Sequence, residues 1–472
     1  LREKVTGIMG KEKNMRLKPE IFRQYDIRGI VDKDLNQETV EILGKAIGTY
    51  FRRHNRSHVV VGMDCRLSSP AFSESLSLGL LSTGCDVTDL GTIPTPLLYF
   101  AIFFKKIDVD AGVMITGSHN PPEYNGFKIM SGEDTLYGPD IQDIYQIIAS
   151  KAFIQDEVGS KKKYDIVPEY SDYVVENINL DKRLKVVVDA GNGTGGVVAV
   201  PILKRLGCNI IDLFCEMDGH FPNHHPDPTL PEALETLITE VKESGAAAGI
   251  AYDGDADRIG VIDDKGNIIW GDQLMILFSR DILPSHPGAT VISEVKASKL
   301  LYEEIERLGG RAIMWKTGHS FIKKKIKQEK ALIAGEMSGH IFFADRFFGF
   351  DDAIYASARL LEILSRSEQK LSAMLADLPK TFYTPEIRVY ASDAVKFKIV
   401  ETVKKDLAEK YPIVDIDGVR AQFPNGWGLV RASNTQEVLV LRFEADTEQD
   451  LQAIRKEIEK TVERAIQRLE NT

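Results

Sequence analysis

Residues 116–128 read Thr-Gly-Ser-His-Asn-Pro-Pro-Glu-Tyr-Asn-Gly-Phe-Lys. They follow Ala111-Gly112-Val113-Met114-Ile115, an apolar run that predicts a buried strand. Gly117, Asn120, Pro121 and Pro122 are turn formers. The strand therefore ends by presenting Ser118 on a turn. A serine flanked by Gly and His there is placed to act as a nucleophile or phosphate carrier. For a lone serine the competing reading is a polar turn without chemistry, and a second motif weighs against it.

That motif is Asp253-Gly254-Asp255-Ala256-Asp257-Arg258, which also follows an apolar run, Ala246–Ala251. Aspartates at alternate positions put three carboxylates on one loop. Magnesium takes hard oxygen ligands and commonly shares them with a phosphate. An EF-hand loop also opens Asp-x-Asp-x-Asp, but it requires Gly at its sixth position and Glu at its twelfth. Arg258 and Asp264 stand there instead. Arg258 suggests a phosphate nearby, because its planar fork matches phosphate oxygens. A solvated acidic turn is the competing reading.

With both motifs in place the chain resembles the α-D-phosphohexomutase superfamily, most closely its phosphomannomutase/phosphoglucomutase branch. The resemblance runs from Phe22-Arg23-Gln24-Tyr25-Asp26-Ile27-Arg28-Gly29 to Arg431-Ala432-Ser433-Asn434-Thr435, with four motifs in order. It implies that Ser118 is carried as phosphoserine, with Mg2+ held against it by Asp253, Asp255 and Asp257.

The bulk properties agree with an ordinary globular enzyme. Length 472 suggests about three domains of roughly 150 residues. Hydrophobic content of 43% and charged content of 27% fit that class. A net charge of −11 disfavours nucleic-acid or membrane-surface partners. Cys65, Cys85, Cys208 and Cys215 form no Cys-x-x-Cys pair and read as reduced thiols of a cytoplasmic protein. No apolar run reaches 18 residues, so no transmembrane helix is expected. Residues 1–14 read as a flexible extension, with Met15 as a natural start of the folded part.

Short apolar runs alternate with amphipathic stretches up to about residue 375, the pattern of covered, largely parallel sheets. Val59–Gly62, Lys185–Asp189 and Ala289–Ile292 read as strands; Glu38–Phe51 and Leu230–Ser244 read as helices. Three times a strand runs into a polar, glycine-bearing loop: at Thr116–Asn120, at Asp253–Arg258, and at Gly335-Glu336-Met337-Ser338-Gly339-His340. The expected fold class is α/β: three similar domains with mixed, largely parallel sheets, plus a smaller C-terminal α+β domain. The expected boundaries are 15–163, 164–267, 268–378 and 379–472, with Lys161-Lys162-Lys163 as a linker. The last domain is expected to hold strands at Thr381–Tyr390, Gly428–Ala432 and Val438–Glu444 and helices at Asp393–Lys410 and Thr447–Leu469. The resemblance implies that it closes a central cleft as a lid.

Glu336, Ser338 and His340 on one loop can hydrogen-bond several sugar hydroxyls, and the resemblance makes this the sugar-contacting loop. Met337 and the Thr-Gly-Ser-His serine loop resemble the mannose/glucose type rather than the N-acetylglucosamine type. The resemblance makes Arg431, Ser433, Asn434 and Thr435 the loop that grips the non-reacting phosphate; Arg is suited to a bidentate clamp. It also places Tyr25 and Arg28 near the transferring phosphate, and His119 and Lys296 at substrate contacts. Lys128 can neutralise phosphate charge, or shuttle a proton if its pKa is lowered. His319, in Lys316-Thr317-Gly318-His319, can serve as an acid/base group, against the alternative of a structural surface histidine. His220, His224 and His225 lack a metal-ligand pattern and read as loop residues. Gly191-Asn192-Gly193-Thr194-Gly195 lacks the P-loop Lys and reads as a tight strand-to-helix turn.

Together these imply reversible phosphoryl transfer between C1 and C6 of mannose or glucose phosphate through a hexose 1,6-bisphosphate, in a monomer or homodimer. The rivals are a phosphoglucosamine mutase, a metal-dependent sugar phosphatase and a silent sugar-phosphate-binding protein.

Overall fold

The computed structural model of the chain describes residues 17–434 and 436–470. The expected extension at 1–14, Met15 and Thr435 lie outside them.

The first sheet comprises β1 (Ile27–Ile30), β2 (His58–Met63), β3 (Asp86–Thr92), β4 (Ala111–Ile115), β5 (Tyr124–Ser131), β6 (Asp134–Thr135) and β7 (Lys161–Lys163), in the order β1-β5-β4-β2-β3-β7 with β6 beside β5. β4, β2, β3 and β7 are parallel, and β5 returns antiparallel to β4. Val59 and Val61 pack with the helices Gln37–Arg53 and Ser69–Leu81, while Val60 faces the helix Thr95–Phe103 on the other side. Both faces are covered, which is why β2 and β4 read as continuous apolar runs.

The second sheet runs β12-β11-β10-β8-β9, with β8 (Lys185–Asp189), β9 (Asn209–Leu213), β10 (Ala248–Tyr252), β11 (Ile259–Asp263) and β12 (Ile268–Ile269). The third runs β14-β13-β15-β16, with β13 (Thr290–Glu294), β14 (Arg311–Trp315), β15 (Ile333–Gly335) and β16 (Ile341–Phe343). One topology recurs in all three. Three parallel strands are followed by an antiparallel return, giving the orders β5-β4-β2-β3, β11-β10-β8-β9 and β16-β15-β13-β14. Each motif loop is the turn between the last parallel strand and its return. The pattern repeat in the sequence is thus a repeat of topology.

The fourth sheet is antiparallel: β17 (Phe382–Tyr383), β18 (Ile387–Tyr390), β19 (Ile413–Val414), β20 (Val419–Phe423), β21 (Gly426–Ala432) and β22 (Val438–Ala445). Val419, Ala421, Val430, Ala432, Leu439 and Leu441 pack with the helices Lys396–Ala408 and Glu448–Glu470 in a separate core. The expected strand Thr381–Tyr390 is two pieces on β22, interrupted around Pro385, which has no N–H to give. β19 and β20 were not foreseen. The three lysines expected as a linker form the edge strand β7, exposed and charged as sheet edges commonly are.

The first three sheets share one continuous apolar core. Its bridge is the helix Thr95–Phe103. Phe100 meets Tyr170, Tyr173 and Phe348, and Tyr99 meets Phe350. The last domain docks on the third through a small cluster of Val295, Trp427 and Leu429. Among the described residues it meets the first lightly. Asn434 reaches Tyr25, Arg23 lies 3.8 Å from Asp393, and a cleft of about 530 Å³ lined by Phe22, Gln24, Lys396 and Phe397 opens beside them.

Candidate active site

Ser118 is buried and adopts φ +48°, a left-handed backbone that a residue with a Cβ rarely takes. The strain is held by the loop's surroundings. The Ser118 N–H donates to Thr116 Oγ1 at 2.8 Å. Arg66, wholly buried, donates to the carbonyls of Ser118 (2.8 Å), Asn120 (2.6 Å), Pro121 (2.5 Å) and Tyr124 (3.0 Å), and its Nε donates to Asp64 (3.0 Å). Asp64 in turn accepts from the Gly117 N–H at 3.0 Å. One guanidinium therefore satisfies four carbonyls of the serine loop.

The metal loop meets this loop backbone to backbone. A Cβ on Gly254 would stand 2.5 Å from the Ser118 carbonyl oxygen, so only glycine fits. Behind it, Gly193 of the Gly191–Gly195 turn lies so close that a Cβ would sit 2.6 Å from the Gly254 oxygen. That turn joins β8 to the helix Gly196–Arg205 and buttresses the metal loop.

Asp253, Asp255 and Asp257 are fully buried, with ligand oxygens within 4.8 Å of one another. Ser118 Oγ donates to Asp253 Oδ2 at 2.9 Å and lies 3.1 Å from His119 Nδ1. The other Asp253 oxygen accepts the N–H groups of Asp257 and Arg258, both at 3.1 Å. Asp255 accepts from Thr95 Oγ1 at 2.5 Å and from Lys128 at 2.7 Å, and Lys128 also contacts Asp257. Burial and the neighbouring charges of Asp255 and Asp257 push the Asp253 carboxyl well above the ordinary range. Asp255 Oδ1 and Asp257 Oδ1 are buried with no hydrogen-bond partner among the described residues. Crowded, orphaned carboxylate oxygens form an acidic metal-binding group, and an all-oxygen donor set fits a hard cation such as Mg2+.

Lys128 reaches this group because β5 pairs it with Met114 on β4. Burial would lower its pKa, but Asp255 and Asp257 more than offset that and raise it. Lys128 thus stands as an ammonium paired with two carboxylates of the triad.

Arg258 Nε donates to His340 Nε2 at 3.0 Å. His340 Nδ1 lies 3.2 Å from Asp351 and 3.6 Å from Asp257. His319, the first residue of the helix His319–Glu329, is buried, with Nδ1 3.6 Å from the same Asp351 oxygen. Burial, aided by Lys323, holds His319 neutral well below its ordinary pKa. Lys323 donates to Asp351 at 2.9 Å. His319 and His340 thus flank one carboxylate, with their rings 5.6 Å apart.

Glu336 is buried and accepts the Gly318 N–H at 2.5 Å, and burial raises its pKa. Ser338 lies on the same loop, half-buried. Arg28 donates to Asn120 at 2.8 Å, which brings the N-terminal motif onto the serine loop. Tyr25 donates to the Thr317 carbonyl at 2.9 Å and accepts from Asn434 at 2.7 Å. Arg431 donates to Asp417 at 3.1 Å, and Ser433 Oγ accepts the Gln436 N–H at 3.1 Å. Lys296 donates to Glu386 at 2.6 Å. The described candidates fall into two connected groups. Ser118, His119, the triad, Lys128, Arg258, His340 and His319 form one, with Arg28 on the serine loop; Lys296, Tyr25, Arg431 and Asn434 form the other, and Glu336 stands between them, its N–H donating to the His340 carbonyl. His220 and His224 stay apart, on Asp218 and Asp189.

Sequence reasoning missed Arg66, Thr95, Lys323, Asp351 and Asp417. Each acts through a contact with residues distant in sequence. The only hint was position, because Thr95 opens a helix and Asp351 and Asp352 precede one.

Comparison with known proteins places this arrangement. Family models described as "Phosphoglucomutase/phosphomannomutase, alpha/beta/alpha" domains I, II and III match residues 19–155, 168–266 and 270–382, and the C-terminal domain model matches 386–461. The chain is 50% identical over 440 residues to a phosphomannomutase/phosphoglucomutase of Pseudomonas putida, covering 93% of this chain and 94% of that one. It is 46% identical over 448 residues to a phosphoglucomutase of Neisseria gonorrhoeae, covering 94% and 97%. Among solved structures, a phosphoglucomutase/phosphomannomutase family protein of Burkholderia thailandensis superposes with a TM-score of 0.91 at 41% identity, over 95% of this chain and 98% of that one. Four matching domains in order, and identity of this extent, show that the chain belongs to the phosphoglucomutase/phosphomannomutase family of the α-D-phosphohexomutases.

Proposed function

We propose that this enzyme moves a phosphoryl group reversibly between C1 and C6 of mannose and glucose phosphates, through phosphorylated Ser118 and a hexose 1,6-bisphosphate. The observation that carries the reading is the 2.9 Å bond from the Ser118 hydroxyl to Asp253 within a buried carboxylate triad. The names of the Pseudomonas and Neisseria relatives support the two sugars.

A hexose monophosphate enters with its free hydroxyl toward phosphorylated Ser118. The hydroxyl oxygen bonds to phosphorus as the bond to Ser118 Oγ breaks. His319, buried and neutral, takes the hydroxyl proton in this reading. Arg28, Arg258 and Lys128 neutralise the transferring phosphoryl group, and Arg431, Ser433, Asn434 and Thr435 grip the distal one. Glu336, Ser338, His340, His119, Tyr25 and Lys296 orient the sugar. The bisphosphate then turns over, and its other phosphate passes to Ser118. Mg2+, held by Asp253, Asp255, Asp257 and the Ser118 oxygen, would add charge neutralisation at phosphorus. The reading includes a cytoplasmic location, which the four free cysteines support. It also treats residues 15–163, 164–267, 268–378 and 379–472 as the four domains.

The test is turnover of mannose, glucose and glucosamine phosphates side by side, with catalytic hexose 1,6-bisphosphate, before and after chelation and Mg2+ readdition. Expected are interconversion of the 1- and 6-phosphates of mannose and glucose without phosphate release, Mg2+ dependence, and poor use of glucosamine 6-phosphate. Met337 offers little to an acetamido or amino group, whereas Glu336 and Ser338 suit neutral hydroxyls. Release of inorganic phosphate as the main product would make the protein a phosphatase. A preference for glucosamine phosphate would reassign the branch.

A further inference from the structure

The central strands β21 and β22 of the C-terminal sheet, with Arg420 of β20, are buried on both faces, and the face turned away from the sheet's own helices carries charged residues. Arg420 on β20, Leu429 on β21 and Arg442 on β22 form one cross-strand row. Trp427 and Arg431 lie on the same face of β21, two residues either side of Leu429. Both arginines are buried, and the Nη1 of each donates into the loop after β13. Arg420 Nη1 donates to the carbonyls of Val295 (2.7 Å) and Ala297 (2.8 Å), and Arg442 Nη1 donates to that of Lys296. Three consecutive carbonyls of the third domain are thus held from the fourth. Arg420 stacks 3.6 Å from the Trp427 ring centroid, and Trp427 Nε1 donates to Glu444 at 2.8 Å. Glu444 also accepts from Ser298 Oγ at 2.6 Å and from the Lys299 N–H at 3.2 Å.

The side chain of Lys296 is held from the same direction. Its ammonium lies 2.6 Å from Glu386 of the last domain and 3.5 Å from Glu294 of its own. The charge of Arg431 acts on Lys296, and Glu294 acts on both. Lys296 belongs to the third domain by sequence and to the fourth by contact.

We propose that Arg420 and Arg442 are positioning residues. They carry the Lys296 loop with the C-terminal sheet, so that Lys296 and Arg431 meet a sugar phosphate as one preset pair of cations. The proposal rests on the reading of those two residues as sugar-phosphate contacts. An unpaired buried carbonyl is costly, so the loop keeps its arginines when the last domain shifts. Arg420 Nη1 bonds two carbonyls while its planar guanidinium stacks on the Trp427 ring, a combination that the compact ammonium of a lysine does not reproduce.

A double-mutant cycle tests this, read as the affinity of full-length protein for glucose 1-phosphate and glucose 6-phosphate by calorimetry, with thermal unfolding as a folding control. Lys296→Ala and Arg420→Ala are each expected to weaken binding about tenfold. The double variant should bind within about twofold of Lys296→Ala, because the second change acts through the first. Arg420→Lys should behave like Arg420→Ala. Multiplicative losses in the double variant, wild-type affinity in Arg420→Ala, or full rescue by Lys overturns the proposal. If Arg420→Ala does not fold, the same cycle with Arg442→Gln, which leaves the Trp427 stack in place, decides it by the same criteria. Wild-type protein that binds but does not interconvert the phosphates overturns the mutase reading alone. Wild-type protein that binds neither overturns both.

Discussion

The Asn434 amide donates a 2.7 Å hydrogen bond to the Tyr25 hydroxyl, joining residues 409 positions apart across the mouth of the cleft. It links the phosphate loop of the last domain to the N-terminal motif of the first. Among the described residues few other contacts bridge these two bodies, whereas the seam between the third and fourth domains is densely bonded. The cleft therefore opens most readily along the Tyr25–Asn434 line. Arg431→Ala is expected to raise KM about tenfold or more and to let hexose bisphosphate escape, because one clamp on the distal phosphate is gone. Released bisphosphate measured per turnover checks this. Unchanged KM and release, with no substrate-induced compaction in small-angle scattering, would refute a closing lid.

Ser118→Ala should fold normally and lose at least about 10³ in turnover, the scale set by removing a group that acts in the transition state. The variant should also fail to take up phosphate from hexose bisphosphate, as read by intact mass. Turnover near that of the wild type would refute the phosphoserine mechanism.

Arg66 makes no contact with a sugar in the proposed mechanism, yet its loss should be felt at Ser118. Arg66→Lys removes the fork that satisfies four loop carbonyls and allows the φ +48° backbone at Ser118 to relax. The expected result is a fall in kcat of about 10² with KM changed less than threefold, since misplacement of a reacting group by about 1 Å costs that much. Steady-state kinetics on glucose 1-phosphate gives the split. An equal rise in KM would mean that Arg66 serves binding instead.

Asp352 supplies a pH dependence away from the reacting groups. It caps the helix Ala353–Arg366 through the Tyr355 N–H at 2.8 Å and accepts from the Tyr170 hydroxyl. Burial, with some repulsion from Asp351, pushes its carboxyl up to about 7. The unfolded chain ionises near the ordinary carboxylate value, so the folded state holds the extra proton between the two. Stability should therefore fall as pH rises from about 4 to about 7 and level off above, by up to roughly 4 kcal/mol from this group. Asp352→Asn keeps a capping oxygen and removes the charge. Urea unfolding at pH 5 and pH 8 should show a smaller loss of stability in Asp352→Asn than in the wild type. An identical loss in both would assign the effect elsewhere.

The sequence was most legible where chemistry is local. The three aspartates sit within five residues, and the turn at Ser118 is spelled out by its neighbours, so both loops could be read directly. The α/β alternation was legible because β4, β10 and the Val59–Met63 stretch of β2 are apolar. What escaped was built from distance. Arg66 reaches carbonyls more than 50 positions away, and Asp351 gathers two histidines from separate elements. β20 escaped although Val419-Arg420-Ala421-Gln422-Phe423 alternates apolar and polar residues, because the run is only five residues long and its polar positions read as solvent-facing whereas Arg420 is buried. Lys128 was found for its charge, but its pKa depends on two aspartates more than 120 positions distant.

The helix Thr95–Phe103 has a consequence for biosynthesis. Its aromatic side is finished by Phe348 and Phe350, about 250 residues downstream. At about 5–20 residues per second, a ribosome needs roughly 12–50 s to supply them. For that interval the nascent first domain can pair its strands but leaves one oily flank uncovered. The emerging chain is then a natural client for chaperones, and the first two domains expressed alone should be sticky. The three-domain fragment that ends near residue 375 contains the missing rings and should not be.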